Sequence, residues 1–210
     1  MLPEPEDTRR YTLEETTTML RTFIGPAKAI IAVFAYTGLR KGEVAALRCE
    51  SWRDGALWVE KCCWRGGFTE PKSRKSKAPV PVIAPLARML REHLAGRTEG
   101  LIFPSRKGTP LNLDNFARRT VRPVLEKLEL SWYGWHAFRC GLGTNLNQLG
   151  VEPKDIQAIL RHSDFETTMN QYVKSVPKSA RKAMESLESL ICSQYAVNSP
   201  ISDDRNAQVV

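Results

Sequence analysis

Apolar residues fall into helix-like blocks over most of the chain and into short strand-like runs only near its middle. Residues 11–24, YTLEETTTMLRTFI, open like a helix. Thr12 can cap it, and Glu15 stands three positions on, the capping-box spacing. A second helix, rich in Ala and Ile, is predicted over residues 26–36, and Thr37-Gly38 stops it. Residues 41–47 read as a short third helix.

The middle reads differently. Residues 51–53, 56–64 and 78–82 have strand composition, with Asp54-Gly55 as the turn between the first two runs. A basic, turn-prone stretch, 66–77, separates the second run from the third. This pattern predicts a small three-stranded antiparallel sheet on the edge of a helical domain. Helices are predicted near 84–96, 113–128, 136–149, 153–161 and 164–174. One more is expected near 178–193, where Ala180, Ala183, Met184, Leu187, Leu190 and Ile191 share a helical face. The expected organisation is a tail over 1–10, one folded domain over 11–177, a C-terminal helix over 178–195 and a disordered polar tail over 196–210. The fold class is mainly α with one small sheet.

Composition narrows the class of function. With 210 residues and 42% hydrophobic content the chain can bury a real core. It contains no apolar run near the ~20 residues of a membrane span. Its first ten residues are acidic and polar, unlike a secretory signal. The five cysteines, Cys49, Cys62, Cys63, Cys140 and Cys192, are odd in number and have no C-x-x-C spacing. They are read as inert thiols of a cytoplasmic protein. The net charge is +8, and its distribution says more than its size. Residues 61–125 hold 14 Lys or Arg against four acids, whereas the stretches on either side are each slightly acidic. A basic region of this kind suggests a polyanionic partner, most often nucleic acid.

Four segments carry candidate chemistry: Thr37-Gly38-Leu39-Arg40-Lys41-Gly42-Glu43, Pro71-Lys72-Ser73, His136-Ala137-Phe138-Arg139, and Leu160-Arg161-His162 followed by Tyr172. Each is weak alone, since an Arg after a Gly turn is usually a solvated surface residue and a lone H-x-x-R an ordinary pair. In this order, TGLRKGE, PKSRKSKAPVPV, HAFR and LRHSDFETTMNQY resemble the signatures of the tyrosine recombinases, also called phage integrases. The resemblance runs from about Tyr11 to Val173. It implies the catalytic-domain fold of that family and a catalytic set of Arg40, Lys72, His136, Arg139, His162 and Tyr172, with Glu43 supporting the first arginine. Two departures stand out. Arg161 replaces the Gly usual before the second His, and Cys140 follows the H-x-x-R where His is frequent; neither position is catalytic in the family's pattern.

The resemblance further implies transesterification of a DNA phosphodiester. Tyrosine attacks phosphorus, the 5′ oxygen leaves, and a 3′-phosphotyrosyl intermediate stores the bond so that religation needs no ATP. Two forked guanidiniums, Arg40 and Arg139, suit the charge that develops on the phosphate oxygens. No metal or other cofactor is called for. Lys72 matches the family's general acid, with Lys75 and Lys77 as the competing positions and a simple phosphate contact as the competing role, and His136 is the better candidate base. His162 is read as a hydrogen-bond donor to a phosphate oxygen. Arg74, Lys75, Lys77, Arg118, Arg119 and Arg122 are candidates to line the DNA face, with a solvated helix face the competing reading for Arg118 and Arg119. The expected partners are double-stranded DNA and further copies of the chain, a tetramer in synapsis, with the C-terminal helix exchanged between them. Family members carry a core-binding domain ahead of the catalytic one; this chain starts where the catalytic domain starts, so that domain is expected to be missing from it. Integration or excision of a mobile element is the expected role. The alternatives are a non-catalytic DNA-binding module of the same fold and a type IB topoisomerase-like enzyme.

Overall fold

A computed structural model describes residues 9–71 and 77–162. Contacts divide the chain into two units, Met1–Tyr172 and Val173–Val210, and every described residue belongs to the first. The helices expected near 164–174 and 178–193 and the tail over 196–210 lie outside the described residues.

The core forms around one helix. α1 (Leu13–Thr22) starts at the expected capping box, Thr12 and Glu15 each bonding the other's backbone N–H. α2 (Gly25–Thr37) is apolar on nearly all sides, which requires burial all round. Ile30, Ile31, Ala32, Val33 and Phe34 are fully enclosed. α1, α4 (Ala84–Leu94) and α7 (His136–Gln148) pack against it. α8 (Pro153–Leu160) lies on α7, where Ile156 and Leu160 meet Leu142, Leu146 and Val151. Among the described residues, no helix is long and apolar enough to cross a membrane.

The strands depart from expectation in one respect. β1 (Trp52–Arg53), β2 (Ala56–Leu57) and β5 (Val80–Pro81) form the three-stranded antiparallel sheet in the order β1-β2-β5. The run over 56–64, however, is not one strand. It leaves the sheet after Leu57, buries Val59 in the core, and pairs again as β3 (Cys62–Trp64) with β4 (Gly67–Thr69) in a separate hairpin. Arg65 and Gly66, both at positive φ, make the two-residue turn of that hairpin. The physical reason for the break is close packing on α3 (Lys41–Ala46). A Cβ added at Gly42 would come 2.7 Å from the Cys63 carbonyl oxygen, so only glycine lets β3 cross the helix at this distance.

The helix expected over 113–128 is present in three parts: α5 (Leu113–Phe116), a π-helical turn (Ala117–Val121) and α6 (Arg122–Lys127). Pro123 cannot donate to the carbonyl four residues back. The chain widens just before it, and the Arg122 N–H bonds the Ala117 carbonyl five residues back.

Candidate active site

The segment Thr37 to Glu43 is a turn built to present one side chain. The buried Thr37 hydroxyl donates to the Val33 carbonyl and accepts from the Leu39 N–H, closing α2. Gly38 sits at φ +60°, in the left-handed region, and an added Cβ would press on Leu160 and Leu142. Leu39 is anchored in the core. Arg40 then emerges as the residue before α3, its side chain 43% exposed. Glu43, almost wholly buried, accepts from the Arg40 backbone N–H at 2.8 Å and from the guanidinium at 3.2 Å.

The second segment rides on α7. His136 opens the helix and Arg139 lies one turn on, so both share a face. Trp135 fixes the helix start by stacking on Phe34, ring centroids 4.5 Å apart, and by donating to the Leu113 carbonyl. Arg139 is buried. One terminal nitrogen donates to the Gly38 carbonyl at 2.6 Å, the other to the Leu160 carbonyl, and Nε donates to His162 Nε2 at 3.3 Å. A single guanidinium thus ties together the Gly38 turn, the end of α8 and the second histidine.

The third segment closes α8. Arg161 adopts φ +54°, and His162 N–H bonds back to the Gln157 carbonyl. His162 is buried. Loss of water around its ring, then the cations of Arg139 and Arg40, hold its pKa down to about 4. His136 as a whole is exposed, yet its ring is partly desolvated. That desolvation, followed by Arg139 and Arg40, holds its pKa below the usual histidine value. Both imidazoles are therefore neutral at pH 7.

Arg40, Glu43, His136, Arg139 and His162, from three separated segments, thus meet at one place. Lys72, Arg74, Lys75 and Tyr172 lie outside the described residues. Lys77 is exposed and pairs with Glu70 at 2.8 Å. Arg118 donates to Asn115 from an exposed position, and Arg119 and Arg122 are exposed beside it on the π-turn and the start of α6. Among the described residues no group of three or more His, Cys, Asp or Glu is arranged to hold a metal ion.

One residue central to this arrangement was set aside in the sequence as a non-catalytic departure. Arg161 is buried, and its guanidinium meets Glu43 at 2.6 Å, each side chain almost inaccessible. Its position was the available signal: an arginine where a helix-ending glycine is usual stands at positive φ, which an L-residue occupies at a cost of about 1–2 kcal/mol. β3 borders the same cluster. Burial and then Glu43 push the Cys62 thiol pKa up, against Arg40 and Arg161.

Comparison with known proteins identifies a family and a fold. The family model described as phage integrase family matches residues 11–179. A tyrosine recombinase XerC-like protein of Caldanaerobacter subterraneus subsp. tengcongensis is 26% identical over 196 residues, covering 78% of this chain and 49% of that protein. The integrase of Mycobacterium phage D29 is 24% identical over 190 residues, covering 84% and 50%. The chain therefore spans about half the length of these relatives. Among solved structures, the Tn1549 transposon integrase in complex with circular intermediate DNA superposes with a TM-score of 0.73 at 21% identity. That match covers 88% of this chain and 68% of that one. XerH site-specific recombinase bound to difH substrate gives 0.60 at 19%, covering 82% and 52%. The fold is that of a tyrosine recombinase catalytic domain, and the chain belongs to the phage integrase family.

Proposed function

We propose that this chain is the catalytic part of a site-specific DNA recombinase that cuts and rejoins strands through a 3′-phosphotyrosyl intermediate and serves integration or excision of a mobile element. The observation that carries this reading is the convergence of two arginines and two neutral histidines around the Gly38 turn. The relatives named as integrases and the neighbour solved with circular intermediate DNA support the choice of DNA as substrate.

In this account Arg40 and Arg139 grip the non-bridging oxygens of the scissile phosphate, where preorganised charge lowers the barrier most. The Tyr172 oxygen attacks phosphorus and passes its proton to His136, whose neutral ring can accept it. The bond to the 5′ oxygen breaks, and that oxygen takes a proton from Lys72. His162 donates to a phosphate oxygen. Its Nε2 already accepts from Arg139, so the proton it offers is the one on Nδ1. One phosphoester replaces another, so the reverse step rejoins the strand without ATP. The cationic side chains do the work a metal does elsewhere. Arg74, Lys75, Lys77, Arg118, Arg119 and Arg122 meet the flanking phosphates, and copies of the chain assemble on paired sites as a tetramer in synapsis.

The test is incubation with duplexes selected by the chain from a random library, nicked near the centre, in excess EDTA. A covalent protein–DNA adduct is expected. Specific binding without any adduct would indicate a DNA-binding module. Adduct formation accompanied only by relaxation of supercoiled plasmid, with no strand exchange, would indicate a topoisomerase-like enzyme.

A further inference from the structure

Glu43 is shared between two cations of different character. Its Oε2 accepts from Arg161 at 2.6 Å and from the Arg40 backbone N–H at 2.8 Å, while Oε1 accepts from the Arg40 guanidinium at 3.2 Å. Arg161 and Glu43 are both buried, but the Arg40 side chain remains 43% exposed and faces outward. A buried carboxylate held only by a half-exposed cation is poorly compensated. Arg161 supplies the missing charge from inside, and this has two consequences. Glu43 is fixed from its buried side, so Arg40 has a rigid anchor at its backbone and at one guanidinium nitrogen. The cluster also carries a net positive charge, whereas Arg40 and Glu43 alone would be neutral.

Arg161 stands at φ +54°, where glycine is the easy residue. It is also joined to His162, which meets Arg139. One short segment therefore touches both arginines of the site, Arg139 through the ring and Arg40 through the carboxylate.

We propose that Arg161 is a positioning residue for Arg40, holding Glu43 so that the Arg40 guanidinium stays aimed and net positive at the scissile phosphate. The assignment rests on the function proposed above, in which Arg40 grips that phosphate. Arg161→Gly suits the backbone geometry and removes the cation; Arg161→Gln removes the charge and keeps most of the side chain. The measurement is the rate of adduct formation at saturating nicked duplex, alongside DNA Kd and thermal melting, in both variants and in the Arg40→Ala background. Both variants should form adduct roughly tenfold to a hundredfold more slowly, the range that sub-ångström to ångström misplacement of a catalytic group produces. Their Kd should stay near that of the parent; melting should fall, because Glu43 loses its buried partner, but both variants should remain folded at the assay temperature. Adding Arg161→Gly to Arg40→Ala should slow the reaction no further, because a residue acting through Arg40 has nothing left to position. The same factor lost in both backgrounds, or loss of the fold in Arg161→Gly, would make the role structural and overturn the proposal. Parent-like rates in both variants would overturn it alone. A parent chain that forms no adduct would remove the proposed function and this inference with it.

Discussion

The Arg139 Nε–H donates to His162 Nε2 across 3.3 Å, placing a permanent cation against a buried imidazole. The ring must stay neutral to accept that bond. Its pKa of about 4 in the folded chain lies below the ~6.5 of an unfolded histidine. Below pH 6.5 the unfolded chain takes up a proton that the folded chain refuses. The stability contributed is complete above 6.5, declines as pH falls toward 4 and levels off beneath that. The total is at most about 3 kcal/mol and smaller to the extent that water screens the ring, with His136 adding in the same direction. Urea denaturation between pH 7.5 and 4 should show this decline, and His162→Asn should flatten it. Stability that held constant or rose on acidification would contradict the geometry.

The two arginines should differ sharply in what they do for the fold. Arg139 satisfies the carbonyls of Gly38 and Leu160 from a buried position. Arg139→Ala strands both, at about 1–3 kcal/mol each. Arg40 is half-exposed, and its partner Glu43 keeps Arg161. Arg40→Ala should therefore cost only about 1 kcal/mol, in the range of exposed ion pairs. Denaturant midpoints of the two variants check this ordering, and equal losses would sink it.

Gly141 should tolerate no side chain. A Cβ there would stand 2.3 Å from the Tyr11 carbonyl oxygen. Tyr11 is itself fixed by its ring packing on Phe138 at 4.4 Å and by its hydroxyl accepting from the Tyr133 N–H. Gly141→Ala must push this segment off α7, at about 1–3 kcal/mol or more. A clearly lowered melting temperature is expected, and an unchanged one would mean that Tyr11 is not held against the helix.

Much of this was legible in the sequence. Thr12 and Glu15 announced the first helix because a capping box is a local device. TGLRKGE and HAFR marked the candidate site because, in order with the other two segments, they resemble the tyrosine recombinase signatures. What local pattern did not reveal depends on distant partners. The break in the 56–64 run follows from Gly42 meeting Cys63. The Arg65-Gly66 turn has no local signature, because arginine is not a residue expected at positive φ, whereas Asp54-Gly55 announces its turn plainly. Pro123 inside a predicted helix was the visible cause of the π-turn, but a single proline does not say how the chain will adjust. Arg161 gave the least warning, because its value lies in Glu43, 118 residues away.

DNA affinity should be strongly salt-dependent. On the proposed function the basic stretch over 61–125 would supply phosphate contacts, and each phosphate neutralised steepens the log–log salt slope by roughly 0.9. Arg119 and Arg122 are exposed on the π-turn and α6. Arg119→Ala or Arg122→Ala should reduce that slope by about one and weaken binding alike across sequences. Titrations at several salt concentrations provide the measure. A slope that stays put in both variants would remove these residues from the DNA face.

The central claim is that Tyr172 becomes covalently joined to DNA. It follows His162 by ten positions, and its competitors are poorly placed in the sequence: Tyr133 precedes the H-x-x-R segment and Tyr195 falls in the expected C-terminal helix. Tyr172→Phe removes one oxygen, so folding and DNA binding should persist. The deciding measurement is mass spectrometry of peptides from adduct trapped on a nicked duplex, run beside the Tyr172→Phe variant. The account predicts a nucleotide 3′-phosphate on residue 172 in the parent and no adduct in the variant. Adduct mapped to another tyrosine, or formed at full yield without the Tyr172 hydroxyl, would contradict it.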